Sequence, residues 1–417
     1  MIKLALKSAL NRRFSLCLLI LSIAAAVVLT LGLERLRNQT RDGFGQAVAG
    51  TDLIIGPRGS ASQLVLYSVF RIGEASQNMS WKSAEIWRAH PAVKWSIPIS
   101  LGDSHKGFPV IGTNQDYLAF YQYADNQKLA MQNGQWCNEL FETVIGADVA
   151  LQLGYTVGSS ITLSHGSGES LGQDHADKPF KVVGILAATG TSIDRSLHIS
   201  LASMEAIHLD WQGGMPAKGF SIAPEFVKKF DLTPKAITAI MVGLKSPTAV
   251  FEVQRAVNSF APEPLMAVLP GIALDELWQV LGVVHKSMRA MTICVALVAL
   301  MGLTATILAS LNERRRELAV LRAIGATPLF IFGLLALEGF TVIVVGALLG
   351  IISLAGTAWM TDGLLRAQLG FGLSSWPVTV DEWIWLGVLL LGGLMICAFP
   401  GYRAYRQSLA DGLNPSV

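Results

Sequence analysis

Apolar residues gather in long runs towards the two ends of the chain. Residues 14–33, 290–311 and 339–360 contain no charged side chain, and the third run reaches back to Pro328 with Glu338 as its one interruption. Residues 383–399 form a fourth, shorter run. A helix needs roughly 20 apolar residues to cross the hydrocarbon core of a bilayer, so the pattern predicts four spans. Between the first two lies a polar stretch, 34–289, long enough for a folded unit of its own. From Leu274 to Asn312 there is no proline, and Leu274, Leu277, Val280, Leu281 and Val284 recur at helical spacing. That predicts a rod of about 60 Å, twice the hydrocarbon thickness, which starts outside the membrane as a stalk.

The fold class that follows is an α+β membrane protein. Four transmembrane helices carry a large mixed α/β extracytoplasmic domain inserted between helices 1 and 2. The expected division is an amphipathic cytoplasmic segment 1–13, a first span 14–33 and a large outer domain 34–273. A stalk helix 274–289, a second span 290–311 and a cytoplasmic elbow 312–328 come next. A third span 329–360, a short outer loop 361–382, a fourth span 383–399 and a cytoplasmic tail 400–417 complete it.

Charge sets the orientation, because Lys and Arg stay on the cytoplasmic side of short loops. Lys3, Lys7, Arg12 and Arg13 precede the first run, Arg314, Arg315, Arg316 and Arg322 separate the second from the third, and Arg403 and Arg406 follow the fourth. Arg366 stands alone in the loop between the third and fourth. Both termini are expected in the cytoplasm and the large domain outside. The first run exceeds the 7–15 residues of a signal-peptide core, and Leu33-Glu-Arg-Leu36 offers no small-residue cleavage site, so a retained anchor is expected.

Composition narrows the function classes. The chain of 417 residues is 52% hydrophobic and 15% charged, with a mean hydropathy of +0.46; soluble chains carry about 25% charged residues. A net charge of +2 without a basic stripe excludes a nucleic-acid protein. Of the four Cys, three fall inside spans, leaving Cys137 with no partner for a disulfide in the outer domain. Gly-Lys occurs nowhere, so there is no Walker A cradle for ATP, and no His precedes a Glu, which excludes HExxH. No catalytic residue is expected.

Three features invite chemistry. His165, Glu169, Asp174, His175 and Asp177 crowd one loop between strand-like Ile161-Thr-Leu163 and Phe180-Lys-Val-Val183. His165, His175 and Asp177 are the metal candidates, suited to Zn²⁺, although an exposed polar hairpin accounts for the same residues. Glu338, inside an apolar run, is either an intramembrane carboxylate bonded to a neighbouring span or an interfacial one. Gly346-Ala-Leu-Leu-Gly350 is a GxxxG, the signature of close helix packing or of dimerisation.

The elbow carries a resemblance. Glu313-Arg-Arg-Arg-Glu-Leu-Ala-Val-Leu-Arg-Ala-Ile-Gly-Ala-Thr327, followed by Leu334-Leu-Ala-Leu-Glu-Gly339, is similar to the signature of MacB/FtsX/LolC-type ABC transporter permeases. Gly50-Thr-Asp-Leu-Ile-Ile-Gly-Pro57 resembles the start of that family's periplasmic core domain, and residues 145–158 with 180–186 resemble its later part, which implies a core domain over 34–273 with its β-rich part near 140–210. Residues 400–410 also fit. The resemblance implies a bacterial inner-membrane permease and a non-catalytic subunit. ATP and Mg²⁺ are bound by a separate cytoplasmic ATPase, with no cofactor in this chain. It further implies a dimer of permeases, contact with a periplasmic or outer-membrane partner, and mechanical transmission or export of a periplasmic, lipidic or peptide substrate. Glu313, Arg314, Arg315, Glu317 and Arg322 would seat the coupling helix on the ATPase, with Gly325 ending it. The absence of a fused ATPase departs from the MacB branch. The alternative reading is a membrane-anchored scaffold or metal-sensing binding protein without transport.

Overall fold

The structure, a computed structural model, describes residues 13–124, 126–166, 174–212, 215–216, 222–313, 320, 323–369, 380 and 382–395. The chain divides into two compact units. One comprises Met1–Gln39, Gly282–Leu364 and Leu373–Val417, the other Thr40–Leu281 and Leu365–Gly372.

The second unit is built on an eleven-stranded mixed sheet. Its strands are β1 (Leu53–Pro57), β2 (Val93–His105), β3 (Phe108–Thr113), β4 (Met131–Gly134), β5 (Glu142–Ile145), β6 (Ser160–Ile161), β7 (Ser164–His165), β8 (Phe180–Leu186), β9 (Leu197–Ser200), β10 (Ala239–Leu244) and β11 (Leu265–Val268). The main path runs β11-β1-β10-β2-β3-β9-β5-β8-β4, with β7 on β2 and β6 on β8. Pairs β3–β9 and β5–β8 are parallel; the other pairs of the sheet are antiparallel. Strands therefore extend from Leu53 to Val268, well beyond the stretch 140–210 where the resemblance implies β structure. Leu53-Ile-Ile and Ala239–Leu244 are continuous apolar runs buried at every position, the pattern of strands covered on both faces, and they lack the alternation that marks a half-exposed strand.

Helices α2 (Trp81–Arg88) and α4 (Val250–Asn258) cover one face, against Leu53, Ile55, Ile240 and Val242. Val250, Val253 and Val257 form the apolar stripe of α4. The opposite face packs Ile54, Ile97, Ile99 and Met241 with Tyr117, Tyr121 and Trp136. A third cluster joins β3, β5, β8 and β9 to α3 (Leu201–Ile207) through Val110, Val182, Ile199, Met204 and Ile207. Ser200 caps α3, its Oγ accepting from Ser203 N at 3.0 Å. Strand β2 links the two halves of the sheet: residues 93–99 pair with β10 and residues 100–105 with β3. Its register slips between Leu101 and Ser104, and that irregularity carries Asp103.

The first unit is helical, with α1 (Arg13–Gln46), α5 (Pro270–Glu313), α6 (Pro328–Leu369) and α7 (Glu382–Met395); the last residues of α1 and the first of α5 belong to the second unit. Helix α5 is unbroken over 44 residues, about 66 Å at 1.5 Å per residue. Among the described residues, Leu16–Gln39, Pro270–Gly302 and Leu329–Thr361 are long and apolar enough to cross a membrane. The fourth apolar run is helical through Met395, and 396–399 lie outside the described residues. Leu19, Ile23, Val27 and Leu31, four residues apart on one face of α1, pack on Ile343, Ala347 and Leu354 of α6. Gly346 and Gly350 make that approach feasible. A Cβ at Gly350 would stand 2.7 Å from Val27 Cβ and 2.9 Å from the Ala24 carbonyl oxygen. The GxxxG is thus used inside the chain.

Candidate functional site

Strand β7 lies antiparallel to β2 with His165 directly opposite Asp103, which places both side chains on one face of the ladder. An isolated bridge pairs Ser164 with Asp174, and His175 N donates to the Leu163 carbonyl at 2.8 Å, so the returning strand delivers His175 to the same place. His208, the residue closing α3, completes the group. Asp103 Oδ1 lies 3.1 Å from His165 Nδ1, 3.5 Å from His175 Nε2 and 3.5 Å from His208 Nε2. His165 Nδ1 and His208 Nε2 are 3.1 Å apart. The Trp211 ring walls the cluster, its centroid 4.4–5.5 Å from those of the three imidazoles. Asp103 and His175 are buried, while His165 and His208 keep some exposure.

Electrostatics within the cluster are strongly coupled. Burial alone would raise the Asp103 carboxyl, but the hydrogen bond with His165, the close approach of the His175 and His208 rings and the His208 charge hold it far below the carboxylate range. Burial likewise works to lower His208, and the Asp103 carboxylate outweighs it to raise the ring above its ordinary value. His208 Nδ1 donates to the Met204 carbonyl at 2.9 Å. Asp103 Oδ2 and both nitrogens of His175 are buried without a hydrogen-bond partner.

Of the three metal candidates read from sequence, His165 and His175 come together and Asp177 does not. Asp177 reaches Lys178 at 2.9 Å. The Lys178 ammonium is fully buried and spans to both Asp210 oxygens at 2.7 Å, so Asp177 belongs to an ion-pair network. The carboxylate of the cluster is Asp103, separated in sequence by 62 residues from His165. Asp174 accepts from Ser164 Oγ at 2.6 Å, and Glu169 lies outside the described residues. Gly168-Glu-Ser-Leu-Gly172 has the G-x-S-x-G spacing of a hydrolase nucleophile elbow, and it lies outside the described residues.

Two family models together span nearly the whole chain. The MacB-like periplasmic core domain matches residues 14–260, and the FtsX-like permease C-terminal region matches residues 289–410. The chain belongs to the MacB/FtsX-type ABC permeases. Among solved structures, the periplasmic region of MacB from Actinobacillus actinomycetemcomitans is 12% identical, with a TM-score of 0.34, covering 60% of this chain and 98% of that one. The extracellular domain of the noncanonic ABC-type transporter YknZ from Gram-positive bacteria is 13% identical, with a TM-score of 0.30, covering 52% of this chain and 99% of that one. No curated protein matches the sequence.

The permease is therefore a non-catalytic subunit of an inner-membrane ABC transporter with a periplasmic domain, of the kind that works with a cytoplasmic ATPase. In its elbow, Glu313 is the last residue of α5, and Arg314, Arg315, Glu317 and Arg322 lie outside the described residues. Gly325 has φ +100°, the left-handed conformation that ends a helix at low cost. Thr327 Oγ1 then accepts from Phe330 N at 3.3 Å, capping α6 just before its first-turn Pro328. Glu338 is half-buried on α6, and Thr341 Oγ1 donates to its carbonyl at 2.7 Å.

The helical unit holds charge pairs that sequence reasoning missed. Arg35 on α1 meets Glu382 at the start of α7 through two hydrogen bonds of 3.0 and 2.8 Å, both side chains buried. Glu34 receives Arg289 of α5 at 2.6 Å and Arg37 at 3.0 Å. All lie beside the apolar runs, so they read as ordinary flanking charges until the helices are packed.

Proposed function

We propose that the permease transmits ATP-driven motion of a separate ATPase dimer to its periplasmic domain, performing mechanical export of a periplasmic substrate or control of a periplasmic partner. The match of the periplasmic core model and the permease model to consecutive parts of one chain carries this reading. The unbroken α5 supports it, since a continuous helix transmits displacement along its axis without a hinge. In this proposal the chain crosses the membrane four times with both termini in the cytoplasm, and two copies form the working dimer. Glu313, Arg314, Arg315, Glu317 and Arg322 seat the elbow on the ATPase, Gly325 ends the seated helix, and the Glu338 carboxylate bonds to a neighbouring helix and locks the bundle.

Co-expression with candidate ATPases tests the proposal. The expected result is co-purification of one ATPase with the permease. Reversing Arg314, Arg315 and Glu317 together should reduce permease-stimulated ATP hydrolysis by at least about 10-fold, a loss of roughly 1.4 kcal/mol of coupling. No co-purifying ATPase, or hydrolysis indifferent to the reversal, would overturn it.

A further inference from the structure

The Asp103–His165–His175–His208 cluster has the dimensions of a metal-coordination polyhedron. Its four donor atoms all lie within 4.8 Å of one another. Zinc bonds to imidazole nitrogen and carboxylate oxygen measure about 2.0–2.1 Å, so tetrahedral ligands stand about 3.3 Å apart. Four of the separations here are 3.1, 3.1, 3.5 and 3.5 Å.

Hydrogen bonding alone leaves the cluster unsatisfied. Because His208 donates through Nδ1 to Met204, its neutral ring turns an unprotonated Nε2 towards His165 and Asp103, the tautomer that a bond from the other ring nitrogen to a carbonyl fixes in metal-ligating histidines. His175 is buried with neither ring nitrogen hydrogen-bonded, and Asp103 Oδ2 is buried without a hydrogen-bond partner as well. Orphaned buried polar atoms are rare in folded proteins, and His175 Nε2 is one that faces the cluster, 3.5 Å from Asp103 Oδ1. A protonated His208 paired with Asp103 would still leave His175 unanswered.

We propose that Asp103, His165, His175 and His208 bind one divalent transition-metal ion of the Zn²⁺ class in a closed four-ligand site. Three imidazoles favour zinc and its neighbours over calcium or magnesium, which take oxygen ligands. Four protein ligands leave no open position, as in structural zinc sites. The ion would tie the β2 irregularity, β7, the segment returning to β8 and the end of α3 into one body. The partly exposed rings of His165 and His208 mark its point of entry, and Trp211 covers part of the cluster. None of this depends on the transport mechanism proposed above.

The test uses the full chain, purified in detergent without a polyhistidine tag and stripped with a chelator. Zn²⁺ is titrated calorimetrically and against a chromophoric chelator, and Co²⁺ is followed by its tetrahedral ligand-field absorption. The expected result is one ion per chain, weakened at least about 10-fold in both His165→Ala and His208→Ala, whose rings are the less buried. Asp177→Ala should bind as the wild type does. Absence of uptake by the wild type, uptake that survives both His substitutions, or loss in Asp177→Ala would overturn the assignment.

Discussion

His198 stands among aromatic rings in the core of the periplasmic unit, with ring centroids 5.0 Å from Tyr117 and 5.9 Å from Trp136. Burial, reinforced by the Arg71 charge, pushes its pKa down to about 3 from the ordinary 6.5. The unfolded chain protonates this ring below about pH 6.5, while the folded one stays neutral almost to pH 3. Across that window the unfolded state binds more protons, so the residue's contribution to stability is complete above it and is lost as pH falls. We expect thermal unfolding of the purified permease to weaken from pH 6.5 towards pH 4, with His198 contributing up to about 1.4 kcal/mol per pH unit. His198→Phe should flatten the profile by that share; identical profiles for the two proteins would refute the assignment. His198 left no trace in the local pattern, because nothing around it marks an unpartnered imidazole. Asp103 is a different case. Gly102-Asp-Ser-His105 is a polar island at the end of an apolar strand, and Asp is depleted in strands, so a signal existed. It could not be joined to His165, since that pairing depends on where β7 docks.

Elements repeat this contrast. Apolar run length is a local property, and α1, α5 and α6 appear where the runs lie because a long apolar segment pairs its backbone groups most readily as a helix. The choice of partner face is not local. GxxxG at 346–350 is compatible with a second copy or with a helix of the same chain, and only the packed structure shows Val27, Ala24 and Ile23 against it. Gly350→Leu should therefore push α1 from α6 at a cost of about 1–3 kcal/mol, seen as a lower melting temperature in detergent. Gly356→Leu, with nothing within 4 Å of its Cβ, should leave melting near wild type. Equal melting of the two variants would argue against the α1–α6 contact.

At the scale of the whole molecule, the helical unit ties the start of the chain to its end through Arg35 and Glu382, 347 residues apart. Removing one partner of a buried pair costs about 3–5 kcal/mol, whereas replacing both with apolar residues is often nearly neutral. Glu382→Leu should thus depress melting strongly, and Arg35→Leu with Glu382→Leu should restore most of the loss; a double variant no better than the single would show that Glu382 acts elsewhere. Run length and the charges around the runs were enough to expect membrane-spanning helices with a large outer domain, because each is written in neighbouring residues and depends on the bilayer or on a local helix; the family was legible through the resemblance of the block from Glu313 to Gly339. The tertiary structure decided that Asp103, not Asp177, joins His165 and His175, that the GxxxG faces α1, and that Arg35 meets Glu382. Those outcomes follow from strand register and helix packing, where the free energy belongs to pairs of residues far apart in the chain and no short stretch carries it alone.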